Sequence, residues 1–146
     1  MQIREVMTQG AEIIRLDAPA IEAAAKMREL DVGSLPVCDG ERLEGLLTDR
    51  DIAIRLVAEG LDPSMTKVSE IMTAGATYCF DDQTVEEAAN LMETRQIRRL
   101  PILNRDKHLI GMLSLGDLAV RTAGTEDQDL ADEALQDISE PSEPHR

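Results

Sequence analysis

Gly45-Leu46-Leu47-Thr48-Asp49-Arg50-Asp51 is answered further along the chain by Gly111-Met112-Leu113-Ser114-Leu115-Gly116-Asp117. Each stretch reads as an apolar strand that ends on a hydroxyl residue, with a carboxylate three positions later, just inside a helix. The correspondence extends outward from both. Ala53 falls on Ala119 at a shift of 66, while upstream Ala23, Ala24, Met27, Leu35 and Pro36 fall on Ala88, Ala89, Met92, Leu100 and Pro101 at a shift of 65. The shift of 65 also lays Glu5-Val6-Met7-Thr8 on Glu70-Ile71-Met72-Thr73. One unit is written twice, which implies a body with pseudo-two-fold symmetry and a seam to which each copy brings the same residues.

Local pattern gives the unit its order. In the first copy Ala11 to Leu16 reads as a strand, Pro19 as a first-turn residue, and Ala20, Ala24, Met27 and Leu30 as an apolar stripe at helical spacing. Ser34 to Cys38 and Leu43 to Leu47 read as strands joined by an Asp39-Gly40 turn. A helix from Asp49 to Gly60 follows, with Pro63 beyond it as a breaker. The second copy repeats this with Ala76 to Phe80, a helix begun by Thr84 and Glu87 at capping-box spacing, strands at Leu100 to Leu103 and Leu109 to Leu113, and a helix from Leu115 to Gly124. The expected class is α/β (α+β), two βαββα repeats at 1–62 and 63–124, followed by an acidic tail at 125–146. Leu130, Ala134 and Ile138 fall on one helical face of that tail, which reads either as a frayed, solvated segment or as a docking helix.

At 146 residues the chain suits one compact domain, because a repeat of about 65 residues alone is marginal and the copies are expected to share a core. That core must be aliphatic, since Tyr78 and Phe80 are the only aromatic residues. A formal charge of −14 without a basic stripe opposes nucleic-acid binding. Eight acids in 125–146, against Arg146 alone, carry about half of it. The chain has no run of roughly 18 apolar residues and its start has no apolar signal stretch, so no membrane partner is expected and the expected compartment is the cytoplasm. Cys38 and Cys79 lack CxxC spacing, which suggests free thiols on strands and neither a metal site nor a redox dithiol; a regulatory disulfide stays open.

The Thr/Ser-x-x-Asp endings admit two readings. Thr48 with Asp51, and Ser114 with Asp117, have the spacing of a capping box that satisfies exposed amides at a helix start. The same geometry suits a nucleoside phosphate: free N–H groups for phosphate, a hydroxyl beside them, and a carboxylate that accepts from a ribose diol. His108 in a turn and His145 in the tail have no partner for acid–base work, and no nucleophile–base pair stands out, so no catalytic residue, catalytic cofactor or metal is expected. Met7 and Met72 could floor a ligand cleft or simply pack.

The two βαββα units, the Met-Thr lead-ins, the Leu-Pro-Val and Leu-Pro-Ile strands and the Gly-x-Leu-Thr/Ser-x-x-Asp endings, in this order and duplicated over about residues 5 to 122, resemble a tandem pair of cystathionine β-synthase (CBS) domains. The Thr-Asp-Arg-Asp-Ile run and the Gly-Leu-Asp-Pro linker resemble stand-alone bacterial CBS pairs. The resemblance implies two clefts between the copies that bind adenosine compounds such as AMP, ADP, ATP, NAD or S-adenosylmethionine. Carried over, one cleft groups Leu47, Thr48, Arg50 and Asp51 with Thr77, Tyr78, Arg98 and Arg99. The other groups Leu113, Ser114 and Asp117 with Ile13, Ile14, Gly33 and Ser34.

The two sets are unequal. Arg98-Arg99 precedes Pro101 where Gly33-Ser34 precedes Pro36, so the Asp51 set carries guanidinium groups suited to phosphate. The bland alternative for both arginines is a solvated strand edge or pairing with nearby acids. The expected function is a regulatory module that senses energy or redox state, acts as a homodimer and signals to an unknown protein target. Alternatives are a CBS-like scaffold without nucleotide and a binder of S-adenosylmethionine.

Overall fold

The computed structural model describes residues 1–123 and Asp132. Their contacts divide the chain into two units: Met1–Gly10 with Thr77–Asp106 and the chain from Ile110, and Ala11–Ala76 with Lys107–Leu109. The sequence repeats are thus not the spatial units at their leading ends. Residues 1–10 belong with the second repeat, and Thr73–Ala74 with the first. The tail expected at 125–146 lies, but for Asp132, outside the described residues.

Each unit has a four-stranded mixed sheet. The first-repeat sheet runs β2 (Ile14–Arg15), β3 (Ser34–Asp39), β4 (Arg42–Thr48) and β5 (Thr73–Ala74). β2 is parallel to β3 across helix α1 (Ala20–Leu30); β3–β4 and β4–β5 are antiparallel. The second-repeat sheet has the order β1 (Thr8–Gln9), β8 (Leu109–Ser114), β7 (Arg99–Leu103) and β6 (Cys79–Phe80), with α4 (Val85–Arg95) between the parallel β6 and β7. β1 pairs antiparallel with β8. The first strand of each repeat is shorter than its apolar pattern suggested, and Ile13, Thr77 and Tyr78 precede the paired residues.

The helix heads follow from their sequences. The Glu87 amide donates to Thr84 Oγ1 at 3.1 Å and the Thr84 amide donates to Glu87 Oε1 at 3.3 Å, which is the expected capping box. Pro19 caps α1 rather than entering its first turn. Both helices end on a left-handed residue that is not glycine, Asp31 at φ 53° and Gln96 at φ 54°, a conformation that costs on the order of 1 kcal/mol. Their amides bond back to the carbonyls of the last turn. After β4 the chain turns at α2 (Asp49–Asp51) and continues as a π-helix over Ile52–Val57, whereas the matching α5 (Leu115–Arg121) stays α-helical. α3 (Val68–Ile71) precedes β5, as a 3-10 turn at Ile3–Glu5 precedes β1.

Each unit has its own aliphatic core. One gathers Ile14, Ala20, Ala23, Met27, Leu35, Val37, Leu47 and Leu56. The other gathers Ile3, Val6, Met7, Ala88, Ala89, Met92, Leu100, Ile102 and Leu113. Alanines at the inner helix positions let the helices approach the sheets, and each fully buried Leu, Ile or Met contributes about 1.5–3 kcal/mol. Met7 is buried in its core and Met72 packs against the other, so both methionines serve as packing.

Cys38 and Cys79 are free and buried, one in each unit. Burial pushes each thiol up to about 11, with Glu44 adding to the shift at Cys38 and Glu87 at Cys79. A raised acid keeps its proton in the folded state, so the stability it contributes is complete below about pH 9 and is lost as pH rises towards 11. Urea unfolding between pH 8 and 10.5 should therefore show a steeper loss for the native sequence than for a Cys38→Ala/Cys79→Ala double variant; parallel pH profiles would reject this.

Candidate ligand-binding site

β4 ends at Thr48, whose extended backbone turns the chain into α2. The Asp51 amide donates to Thr48 Oγ1 at 3.1 Å, and the Thr48 amide donates to Asp51 Oδ2 at 3.0 Å. In the other unit the Asp117 amide donates to Ser114 Oγ at 3.0 Å and the Ser114 amide to Asp117 Oδ2 at 3.1 Å. The capping box expected from the spacing is present twice.

Each carboxylate also has a partner that the sequence reading did not assign. Thr73 Oγ1 donates to Asp51 at 3.2 Å (Oδ1) and 3.3 Å (Oδ2), and Thr8 Oγ1 donates to Asp117 at 3.4 and 3.3 Å. These threonines come from the duplicated Met-Thr lead-ins, which form β5 and β1. The lead-in is fixed at two further points. Arg55 Nη1 donates to the Met72 carbonyl at 2.9 Å, and Arg121 Nη1 donates to the Met7 carbonyl at 2.7 Å. Arg55 and Arg121 correspond at the shift of 66, so comparing the repeats position by position would have found them.

Gly45 and Gly111 explain why these strands meet so closely. A Cβ on Gly45 would lie 2.4 Å from the Thr73 carbonyl oxygen, and one on Gly111 would lie 2.5 Å from that of Thr8. Only hydrogen fits at either position. The glycine of Gly-x-Leu-Thr/Ser thus admits the lead-in strand that brings its threonine to the aspartate.

The segment before each Leu-Pro strand sits at the same helix head. The Asp49 amide donates to the Gly33 carbonyl at 2.9 Å and the Leu115 amide to the Arg98 carbonyl at 3.0 Å, while Ser34 pairs with Thr48 in the β3–β4 register. The two heads differ in charge. Exposed Asp49 sets its carboxylate against Gly33, with Oδ2 3.1 Å from where a Cβ would stand, whereas its counterpart Leu115 is buried. Arg98 and Arg99 are exposed, and among the described residues neither guanidinium is paired with a carboxylate. The arrangement can accept hydrogen bonds from a diol and, at the second-repeat head, offer cationic groups to an anion.

Ile13, Ile14, Gly33, Ser34, Leu47, Thr48, Arg50 and Asp51 all belong to one unit, and Thr77, Tyr78, Arg98, Arg99, Leu113, Ser114 and Asp117 to the other. Leu47, Leu113 and Ile14 are core residues. Ile13 is half-buried, and its carbonyl accepts from Lys26 Nζ at 2.7 Å. Tyr78 is exposed and Thr77 half-buried. Among the described residues no group of His, Cys, Asp and Glu is placed to hold a metal ion, and no helix is long and apolar enough to cross a membrane.

Known proteins carry the same pattern. YhcV, a CBS domain-containing protein of Bacillus subtilis, is 39% identical over 137 residues, covering 94% of each chain. Hypoxic response protein 1 of Mycobacterium tuberculosis is 37% identical over 117 residues, covering 80% of this chain and 81% of its own. A crystal structure of CBSX2 of Arabidopsis thaliana in complex with AMP is 26% identical and aligns with a TM-score of 0.71, over 84% of this chain and 95% of that one. The CBS domain family model matches residues 3–58 and again 68–123. The twice-written unit, its two sheets and its two Thr/Ser–Asp helix heads thus make this chain a member of the CBS domain family, carrying a tandem CBS pair.

Proposed function

We propose that the protein is a non-catalytic regulatory module that binds adenosine nucleotides, AMP, ADP, ATP or NAD, and signals through a change of shape or association. The observation that carries this reading is the doubled aspartate at a helix head, held by a capping amide and a lead-in threonine. Capping alone accounts for the amide bonds but not for a second hydroxyl delivered from another strand through a glycine contact. In this reading a ribose diol competes with Thr73 or Thr8 for the carboxylate, so occupancy bears on the lead-in strand. A ligand shifts such an equilibrium only through its differential affinity for the two states.

The residue groupings stay those expected from the resemblance: Leu47, Thr48, Arg50 and Asp51 with Thr77, Tyr78, Arg98 and Arg99, and Leu113, Ser114 and Asp117 with Ile13, Ile14, Gly33 and Ser34. Arg98 and Arg99, neither paired with a carboxylate among the described residues, favour the more highly charged nucleotide in the first. Gly33 and Ser34 stand in the second where the first has arginines, which favours a ligand without phosphate there, such as S-adenosylmethionine. Homodimer formation, a cytoplasmic location and signalling to an unknown protein target belong to the same proposal, and exposed Ile54, Val57, Leu61 and Met65 offer apolar area for association.

Calorimetric titration with AMP, ADP, ATP, NAD and S-adenosylmethionine tests it. Arg98→Ala should weaken ATP about tenfold, the loss of one charge-assisted contact. Asp117→Ala should leave that affinity within about twofold. Equal ATP losses in both variants would reject the grouping, and silence across the panel would favour a scaffold that binds no nucleotide.

A further inference from the structure

The only two aromatic residues of the chain lie together in one unit, and they are buttressed. Tyr78 and Phe80 meet edge to face, with ring centroids 5.5 Å apart and planes at 85°. The Arg105 guanidinium lies over the Phe80 ring, 4.2 Å from its centroid. Asp82 grips that guanidinium with both oxygens, accepting from Nε at 2.8 Å and from Nη2 at 2.7 Å. The turn beneath is tied as well, since the Phe80 amide donates to Gln83 Oε1 at 2.8 Å. Phe80 is thus covered on one face by a guanidinium that Asp82 holds with both oxygens, and its edge-to-face neighbour, Tyr78, stands at an exposed position ahead of β6.

The first repeat has no such ladder. The shift of 65 puts Ile13, Arg15 and Asp17 where Tyr78, Phe80 and Asp82 stand, and there Arg15 pairs with Asp17 at 3.5 Å on the surface. Packing does not demand the ladder, because the equivalent aliphatic strand folds without it. An exposed ring braced by a neighbouring ring suits one chemical class, a flat heterocycle that can stack on it at a reduced cost for fixing the ring.

We propose that Asp82, Arg105 and Phe80 are positioning residues that set Tyr78 as a stacking platform for a nucleobase. This rests on the nucleotide reading above. The contribution of a base on one aromatic ring is about 5- to 150-fold in affinity, and an exposed cation–π contact that orders the ring accounts for about 2- to 5-fold of it.

Titrating AMP and ribose 5-phosphate into the native protein, Arg105→Ala, Asp82→Asn and Tyr78→Ala separates base from sugar phosphate. With one tyrosine and no tryptophan, tyrosine emission anisotropy reports on Tyr78 alone, without any ligand. Expected are a lower anisotropy and an about 2- to 5-fold weaker AMP affinity in Arg105→Ala and Asp82→Asn, with ribose 5-phosphate unchanged. Tyr78→Ala should bring AMP down to the affinity of ribose 5-phosphate. Unchanged AMP binding in Arg105→Ala and Asp82→Asn, or equal losses for both probes, overturns the positioning role while leaving nucleotide binding intact. If the native protein binds neither probe, the nucleotide reading falls, and the platform's role with it.

Discussion

Gly45→Ala should destabilise the protein by about 2 to 4 kcal/mol, a large loss for a single methyl group. The added carbon would stand 2.4 Å from the Thr73 carbonyl oxygen and 3.3 Å from the Ala74 Cα, both backbone atoms that no rotamer change can move aside. Relief requires β5 to leave β4, and Thr73 then withdraws from Asp51. The urea midpoint should therefore drop, whereas AMP affinity should stay within a few-fold, because the withdrawn Thr73 only competes for the carboxylate. Gly116→Ala is the matched control, because its Cβ meets only Ser114 Oγ at 3.6 Å and a helical alanine is favoured over glycine by about 0.5–1 kcal/mol. Gly116→Ala should raise stability. A Gly45→Ala protein as stable as the native one would refute the close-approach argument.

The largest expected effect on binding is that of Asp51→Ala. Asp51 is 7% exposed and receives the Thr48 amide and the Thr73 hydroxyl. Truncation leaves both donors without that acceptor, at about 1–2 kcal/mol of stability. In the proposed reading it also removes two charge-assisted bonds from the ribose diol, which lowers nucleotide affinity about 100-fold or more. Thr73→Val separates the two roles, since it costs stability without touching the carboxylate and removes a competitor for it. That variant should bind AMP within a few-fold of the native protein. Loss of stability without loss of affinity in Asp51→Ala would reduce the aspartate to a helix cap.

The repeat, the α/β class and both helix heads were legible in the sequence because they depend on local order. Apolar spacing specifies α1 and α4, and Thr48-x-x-Asp51 and Ser114-x-x-Asp117 announce their own hydrogen bonds. β1 and β5 were not legible. Each has two residues, too few for any alternation, and each pairs with a strand far along the chain, a choice made by the glycine opposite rather than by its own sequence. Gly45 and Gly111 were visible as a repeated pair, but their purpose depends on which backbone approaches them. The π-helical winding of Ile52–Val57 also has no local signature: Ile54 and Val120 occupy matching places in helices that wind differently.

The exchanged leading segments bear on how such a chain could have come to exist. Residues 1–10 finish the sheet of the repeat that follows much later, and the lead-in of that later repeat, Thr73–Ala74, finishes the sheet of the earlier one. A gene holding a single copy would encode a polypeptide with one sheet edge bare and one lead-in unused. Two such polypeptides could satisfy each other only by trading their leading ends. Joining two such copies head to tail makes that trade internal to one chain.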